Sequence, residues 1–289
     1  MITFPSILDA TGRRLVTQNL THPAVYLDTW ALRLFAKDEP ALGDRFRAAL
    51  RATRGTLVLS SLNLGEFTFD VAVHAQSVGT FIDLLYPHLF FSHFDPFAVI
   101  KEEGLRMARQ GRGSPAGDQG MLELFASDAA RRGHASVRHW FDAVHAERVT
   151  VRQLLDSMAA ALITAVDGVR AQFISDPEYG KMALQSIKES ARPRATQALI
   201  RALIYRMRND HGYKLKRNET LDIGHSIVSA AYCDFVLLDG PWNTRVIDAV
   251  EFMRECGITT HVAETYAKRE GALQLLDKLE AWPTKLVAA

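Results

Sequence analysis

The sequence predicts an α/β protein with a parallel sheet whose strands come from both ends of the chain and are separated by a long helical section. Three observations predict it. Short apolar runs that close on a polar or acidic residue and lead into helical spacing occur between positions 23 and 70. The same rhythm returns after Asn218, and between these stretches apolar residues recur almost entirely at helical intervals. Strands alternating with helices imply parallel pairing. The expected organisation is an N-terminal extension over 1–22, one α/β unit assembled from 23–70 and 215–289, and a mostly helical insertion over 71–214.

Taken in order, Ala24-Val25-Tyr26-Leu27 reads as a strand entered from Pro23 and closed by Asp28, and TWALRLFAK follows it with helical spacing. The stretch ALGDRFRAALRATRG predicts a second helix. Thr56 to Leu59 predicts a β-rich run, Ser60-Ser61 a turn, and Leu62 to Phe69 a helical pattern that carries Glu66. From Gly65 to Tyr213 no strand is expected. Breaks are expected at Pro87, His93 to Pro96, the Gly-rich run Gly111 to Gly120, Gly133, Ser175 to Pro177 and Pro193. After Asn218 the reading is a helix from Leu221 to Tyr232, a strand from Phe235 to Leu238, Asp239, and a helix from Thr244 to Cys256. A strand from Ile258 to Val262 and a helix from Glu264 to Trp282 close the chain. No fixed-period repeat marks a solenoid.

Composition fits an ordinary globular protein. The 289 residues carry 34 basic and 33 acidic side chains for a formal charge of +1, with 48% hydrophobic and 23% charged residues. A near-neutral balance argues against coating nucleic acid by bulk charge and leaves a local basic groove open. Two cysteines, Cys233 and Cys256, are too few for a disulfide framework or a Cys-rich zinc site and favour a reducing compartment. No basic start followed by a long apolar run opens the sequence, and no uncharged apolar stretch of about 18 residues occurs. The expectation is a cytoplasmic protein with no membrane partner.

Asp28 and Asp239 each follow a strand directly, which in an open parallel sheet puts them at the carboxyl edge, where such sheets bind ligands. Glu66 lies a turn or two past the second strand, and Asp222 opens the helix that feeds the Asp239 strand. Each acid has a plainer reading as a helix cap, first-turn residue or turn former. Together, four carboxylates at one edge with no Lys or Arg beside them in sequence would repel one another unless a hard divalent cation neutralises them. Oxygen ligation of that kind selects Mg²⁺ or Mn²⁺.

The segments VYLDTWALRLFA, LVLSSLNLGEF and NETLDIGHSIVSAAYCDFVLLD resemble the PIN-domain nucleases, over about residues 23 to 70 and 215 to 265. The resemblance implies a Rossmann-like three-layer α/β/α sandwich with a central, mostly parallel sheet. It also implies that Asp28, Glu66, Asp222 and Asp239 are the catalytic, metal-holding acids. Its implied activity is Mg²⁺- or Mn²⁺-dependent phosphodiester hydrolysis, most often of RNA, leaving 5′-phosphate and 3′-hydroxyl ends. Leu237 departs from the Thr or Ser common in relatives two residues before the last Asp. The 156 positions separating Glu66 from Asp222 exceed the family's compact spacing. The family includes toxin halves of bacterial toxin–antitoxin pairs, whose chains are shorter than this one.

Substrate grip is the second expectation. Arg192, Arg194, Arg201, Arg206, Arg208, Lys214, Lys216 and Arg217 face the single acid Asp210, with Tyr205 and Tyr213 interleaved. Such a stripe can track a nucleic-acid backbone while tyrosines stack on bases. It can equally be a solvated helix face with tyrosines in the core. His225, one turn from Asp222, is a candidate proton carrier or phosphate contact, and Asn63 a candidate orienter of Glu66. Asp234 precedes its strand and reads as a turn residue, and Cys233 reads as a small buried hydrophobe. The Gly-rich run lacks a P-loop ending, and HExxH, GxSxG and GxGxxG are absent. The expected function is a metal-dependent endoribonuclease whose helical insertion guides substrate or meets an inhibitory or oligomeric protein partner. The alternatives are a non-catalytic interaction module and a small-molecule phosphatase.

Overall fold

The computed structural model describes residues 1–3, 16–67, 72–110, 117–188, 195–208 and 214–283; the side chains of Thr3 and of 106–110 are outside that description. The chain opens with a two-stranded antiparallel ribbon, β1 (Ile2–Thr3) and β2 (Thr17–Gln18). The main sheet begins at β3 (Ala24–Leu27), followed by α1 (Thr29–Arg33), a π turn (Leu34–Asp38) and α2 (Pro40–Ala52). Next come β4 (Thr56–Ser60), α3 (Ser61–Glu66), α4 (Ala72–Asp83) and β5 (Leu89–Ser92). Six helices follow: α5 (Pro96–Gln110), α6 (Gln119–Arg132), α7 (Val137–Ala146), α8 (Arg148–Ser175), α9 (Pro177–Lys188) and α10 (Ala195–Met207). The chain then runs through α11 (Arg217–Tyr232), β6 (Phe235–Leu238), α12 (Gly240–Glu255), β7 (Glu264–Ala267) and α13 (Lys268–Glu280).

The sheet is five-stranded and wholly parallel, in the order β5-β4-β3-β6-β7. The chain winds outward from β3 to β5, then returns to start again at β6 beside β3. The carboxyl ends of β3 and β6 therefore flank the switch of winding direction, the crevice where open parallel sheets take ligands. Leu27 pairs with Leu237 across these strands, so Asp28 and Asp239 emerge side by side.

Helices cover both faces. Val25, Leu27, Leu57, Leu59, Phe91 and Leu237 point into one core with α1, α2, α4, α6, α7 and α13. Ala24, Tyr26, Val58, Phe90, Val236 and Leu238 point into a second core with α8 to α12. Burial on both faces explains why the strands read as continuous apolar runs. Helix α8 is long and apolar enough by composition to cross a membrane, and it delivers Leu155, Ala159, Leu162, Val166 and Phe173 into the packed interior.

Several sequence expectations are corrected here. The stretch expected to be strandless contains β5, whose Leu89-Phe90-Phe91-Ser92 is buried throughout and pairs with β4. Three apolar residues and a serine, all buried, show no alternation by which to recognise them. The expected strand at Ile258 to Val262 is a loop that sends Ile258 and Ala263 into the second core. The strand is β7, within the segment expected to start the last helix, where Thr265 and Tyr266 suit the partly exposed sheet edge. Helix α11 begins four residues before Leu221, so Asp222 lies in its second turn. Helix α12 begins at Gly240, capped by Asp239, with Pro in its first turn.

Candidate metal centre

Asp28 ends β3 and caps α1, its Oδ1 accepting from the Thr29 N–H at 2.6 Å while its own N–H donates to the Leu237 carbonyl at 3.0 Å. Asp239 does the same after β6, accepting from the Trp242 N–H at 2.9 Å. The capping and ligand readings are therefore compatible, because a cap engages one carboxylate oxygen of each. Glu66 is the last residue of α3 and accepts a hydrogen bond from the Thr29 hydroxyl through Oε2. The turn that places α3 is held by a capping box. Ser60 N–H donates to Asn63 Oδ1 at 3.1 Å, Asn63 N–H donates to Ser60 Oγ at 3.2 Å, and Asn63 Nδ2 reaches the Leu27 carbonyl at 3.3 Å. Asn63 thus ties α3 to the end of β3, with its hydrogen bonds going to Ser60 and Leu27.

The tight convergence at this edge is Asp28, Glu66 and His225, each offering one donor atom within 4.8 Å of the others. Asp222 and Asp239 stand outside that group, although their charges act on Asp28. His225 is 2% exposed. Its Nδ1 hydrogen-bonds the Tyr26 hydroxyl, and its Nε2 faces Glu66 Oε1 at 3.4 Å without a formed hydrogen bond.

Charge follows from this packing. Burial and then the Glu66 and Asp239 charges raise Asp28 to about 6, against the opposing pull of His225 and the Thr29 N–H. Asp222 is raised to about 7, again by burial first and then by Asp28, Asp239 and Glu66. Burial opposes the imidazolium of His225, yet Glu66, Asp28 and Asp222 outweigh it and lift the group to about 9. Burial also works against the Glu66 carboxylate, but His225, the Thr29 hydroxyl and Arg33 hold it below its ordinary value. The repulsion expected among unaccompanied acids is thus partly relieved by a histidine.

The expected nucleic-acid stripe divides. Arg192, Arg194 and Tyr213 lie outside the described residues. Arg201 donates to the Ala183 carbonyl at 2.9 Å. Arg206 lies over Phe252 and Arg208 over Tyr205, with 5.5 and 3.4 Å to the ring centroids. Tyr205 is buried and stacked on Phe252, so this tyrosine belongs to the core and cannot stack on bases. Arg217 ion-pairs with Asp156. Lys214 and Lys216 are exposed just before α11, whose N-terminal end lies at the sheet's carboxyl edge. Arg245, 3.7 Å from Glu219 and over the Trp242 ring, adds a cation from the start of α12.

Thr29, Tyr26 and Arg33 had no assigned role in the sequence reading. Tyr26 was recoverable in principle, since a hydroxyl two residues before Asp28 in a strand shares its face. The Thr29 and Arg33 contacts depend on the bend between α1 and α3, which no local pattern encodes. A comparison with protein-family models, curated proteins and solved structures finds no match to this chain.

Proposed function

We propose that the protein is a metal-dependent nuclease of PIN-like type, on a Rossmann-like sheet, that hydrolyses phosphodiester bonds in nucleic acid, RNA by preference. The observation that carries this reading is the meeting of Asp28, Glu66 and His225 at the switch point of the sheet. The donors fit a divalent cation, since two carboxylates and an imidazole lie close enough to share one ion and a surplus of negative charge surrounds them. A bound Mg²⁺ or Mn²⁺ would supply Lewis acidity toward the phosphate and a more acidic water.

The chain's own residues do the rest. Asp28 and Glu66 would hold the ion, and the Thr29 hydroxyl fixes the carboxylate of Glu66. Asp222, whose charge couples to Asp28, Asp239 and Glu66, would be the group to accept a proton from an attacking water. Asp239, held as the α12 cap, would add negative charge favouring a cation in the crevice. Lys214, Lys216 and Arg245 stand on surrounding elements where phosphates flanking the scissile bond can be neutralised. RNA preference and the family assignment rest on the sequence resemblance.

One observation favours a second reading. His225 already places positive charge among the acids, as a metal-free, non-catalytic interaction module would require. Cleavage of single-stranded and structured RNA and DNA, measured with Mn²⁺, Mg²⁺ or EDTA, separates the two. Asp28→Asn keeps the side-chain size and removes a ligand charge, so metal-dependent cleavage should fall at least about 100-fold, the scale of losing a group that stabilises transition-state charge. Equal cleavage by wild type and variant would refute the assignment.

A further inference from the structure

The histidine of the cluster stands apart from the all-carboxylate chemistry expected of the site. Its Nε2 is buried with no well-formed hydrogen bond, and its contact with the chain on that side is the long charge pairing with Glu66. That nitrogen faces Glu66 Oε1 at 3.4 Å, and a ring nitrogen of His225 lies within 4.8 Å of both the Asp28 and the Glu66 donors. Donors bonded octahedrally to one ion at about 2.1 Å stand roughly 3.0 Å apart when adjacent and about 4.2 Å apart when opposite. The 3.4 Å between Nε2 and Glu66 Oε1 falls inside that range, and the 4.8 Å that bounds all three donors lies a little beyond it.

The other face of the ring is also built for ligation. Metal-binding histidines usually donate their second ring N–H to a fixed partner that sets tautomer and orientation. Here Nδ1 meets the hydroxyl of Tyr26, a fully buried strand residue that also neighbours the Ser60 and Asn63 side chains. The helix that carries the ring is itself held close here: a Cβ on Gly224 would lie 2.9 Å from Leu62 Cδ1 and 3.0 Å from the Phe94 carbonyl.

We infer that His225 Nε2 is a direct metal ligand, completing a one-nitrogen, two-carboxylate set with Asp28 and Glu66 that selects Mn²⁺ and later first-row dications over Mg²⁺. The selectivity follows from ligand chemistry: imidazole binds transition dications in the Irving–Williams order, whereas Mg²⁺ prefers oxygen donors and retains its waters. This inference rests on the metal-site reading above and goes beyond it by making Nε2 a bonded ligand in place of a neighbouring charge and by naming the ion it favours.

The test uses the full chain, stripped with EDTA and titrated with Mn²⁺ alone. Pulsed electron paramagnetic resonance of the bound ion should show ¹⁴N coupling from a directly bound imidazole, which a histidine that merely positions Glu66 would not produce. Mn²⁺ affinity should drop at least about tenfold in His225→Gln, with Mg²⁺ affinity changing much less, so that the Mn²⁺/Mg²⁺ preference narrows. Tyr26→Phe should weaken Mn²⁺ by about tenfold through loss of the Nδ1 partner. Bound Mn²⁺ that depends on Asp28 but lacks ¹⁴N coupling overturns the ligand role of His225 and leaves the metal site standing. Mn²⁺ that does not bind, or binds equally to Asp28→Asn, overturns both. The wild-type spectrum decides the matter even where a variant fails to fold.

Discussion

At the scale of single residues, the cluster stores unfavourable charge that a proton or a cation can relieve. Asp28 and Asp222 titrate near 6 and 7 in the folded chain against an ordinary 3.8, so their contribution is fully present below about pH 4 and is lost as pH rises through those values. His225, raised from 6.5 to about 9, contributes fully below pH 6.5 and loses its contribution as pH climbs through 9. Glu66, held low, acts oppositely and loses stability only on acidification. Above pH 5 the first three trends agree. The melting temperature of the EDTA-treated protein should therefore fall from pH 5 to 9, and saturating Mn²⁺ should flatten or reverse the slope by binding the deprotonated ligands. Thermal denaturation across that range with and without Mn²⁺ checks it, and parallel slopes would count against the cluster as the source. Asp28 and Asp239 were legible in sequence because each follows a short apolar run. The balancing charge of His225 was not, since its partner Glu66 lies 159 positions away in the chain.

At the scale of elements, α11 carries Asp222 and His225 on one face, three residues apart, and Gly224 between them lets that helix lie against α3 and the segment after β5. Gly224→Ala should destabilise the fold by about 1–3 kcal/mol through overpacking and weaken Mn²⁺ binding by moving His225. Gly168→Ala, in the middle of α8 where an added Cβ meets nothing within 4 Å, should instead stabilise by about 0.4–1 kcal/mol. Denaturant melts of the two variants test the contrast. The basic run shows where sequence reading stopped. Its charge excess was plain, but charge does not say which arginines cover aromatic rings. Arg206→Ala with Arg208→Ala should cost about 1–2 kcal/mol of stability through lost ring contacts. Lys214→Ala with Lys216→Ala should spare stability and lower the log–log salt slope of single-strand RNA binding by about 1.4, at about 0.7 per phosphate contact. Filter binding at several salt concentrations reads the slope.

At the scale of the whole molecule, the two ends of the chain meet as adjacent strands, and the residues between them complete the layers of the sheet. The central strands β3, β4 and β6 were legible from their apolar runs, whereas β5 was hidden by its shortness and two-sided burial. This changes the meaning of the segment 71–214. It supplies the edge strand β5, the helices α4, α6 and α7 that cover one face, and α8, α9 and α10 that cover the other. Replacing 71–214 by a short Gly-Ser linker should therefore leave a chain with no cooperative thermal transition, even though every acid of the site remains. Leu57, Leu59 and Phe67 would lose neighbours on one face, and Val58, Ile223 and Ile227 on the other. At about 1.5–3 kcal/mol for each side chain fully returned to water, even half-exposure of these six costs on the order of 5–9 kcal/mol. That is comparable with the entire 5–15 kcal/mol typical of a folded domain. Circular dichroism melting and size exclusion of the excised chain measure the outcome. A sharp transition in a compact monomer would mean that the segment is a dispensable lobe, and that the sheet closes its two cores without it.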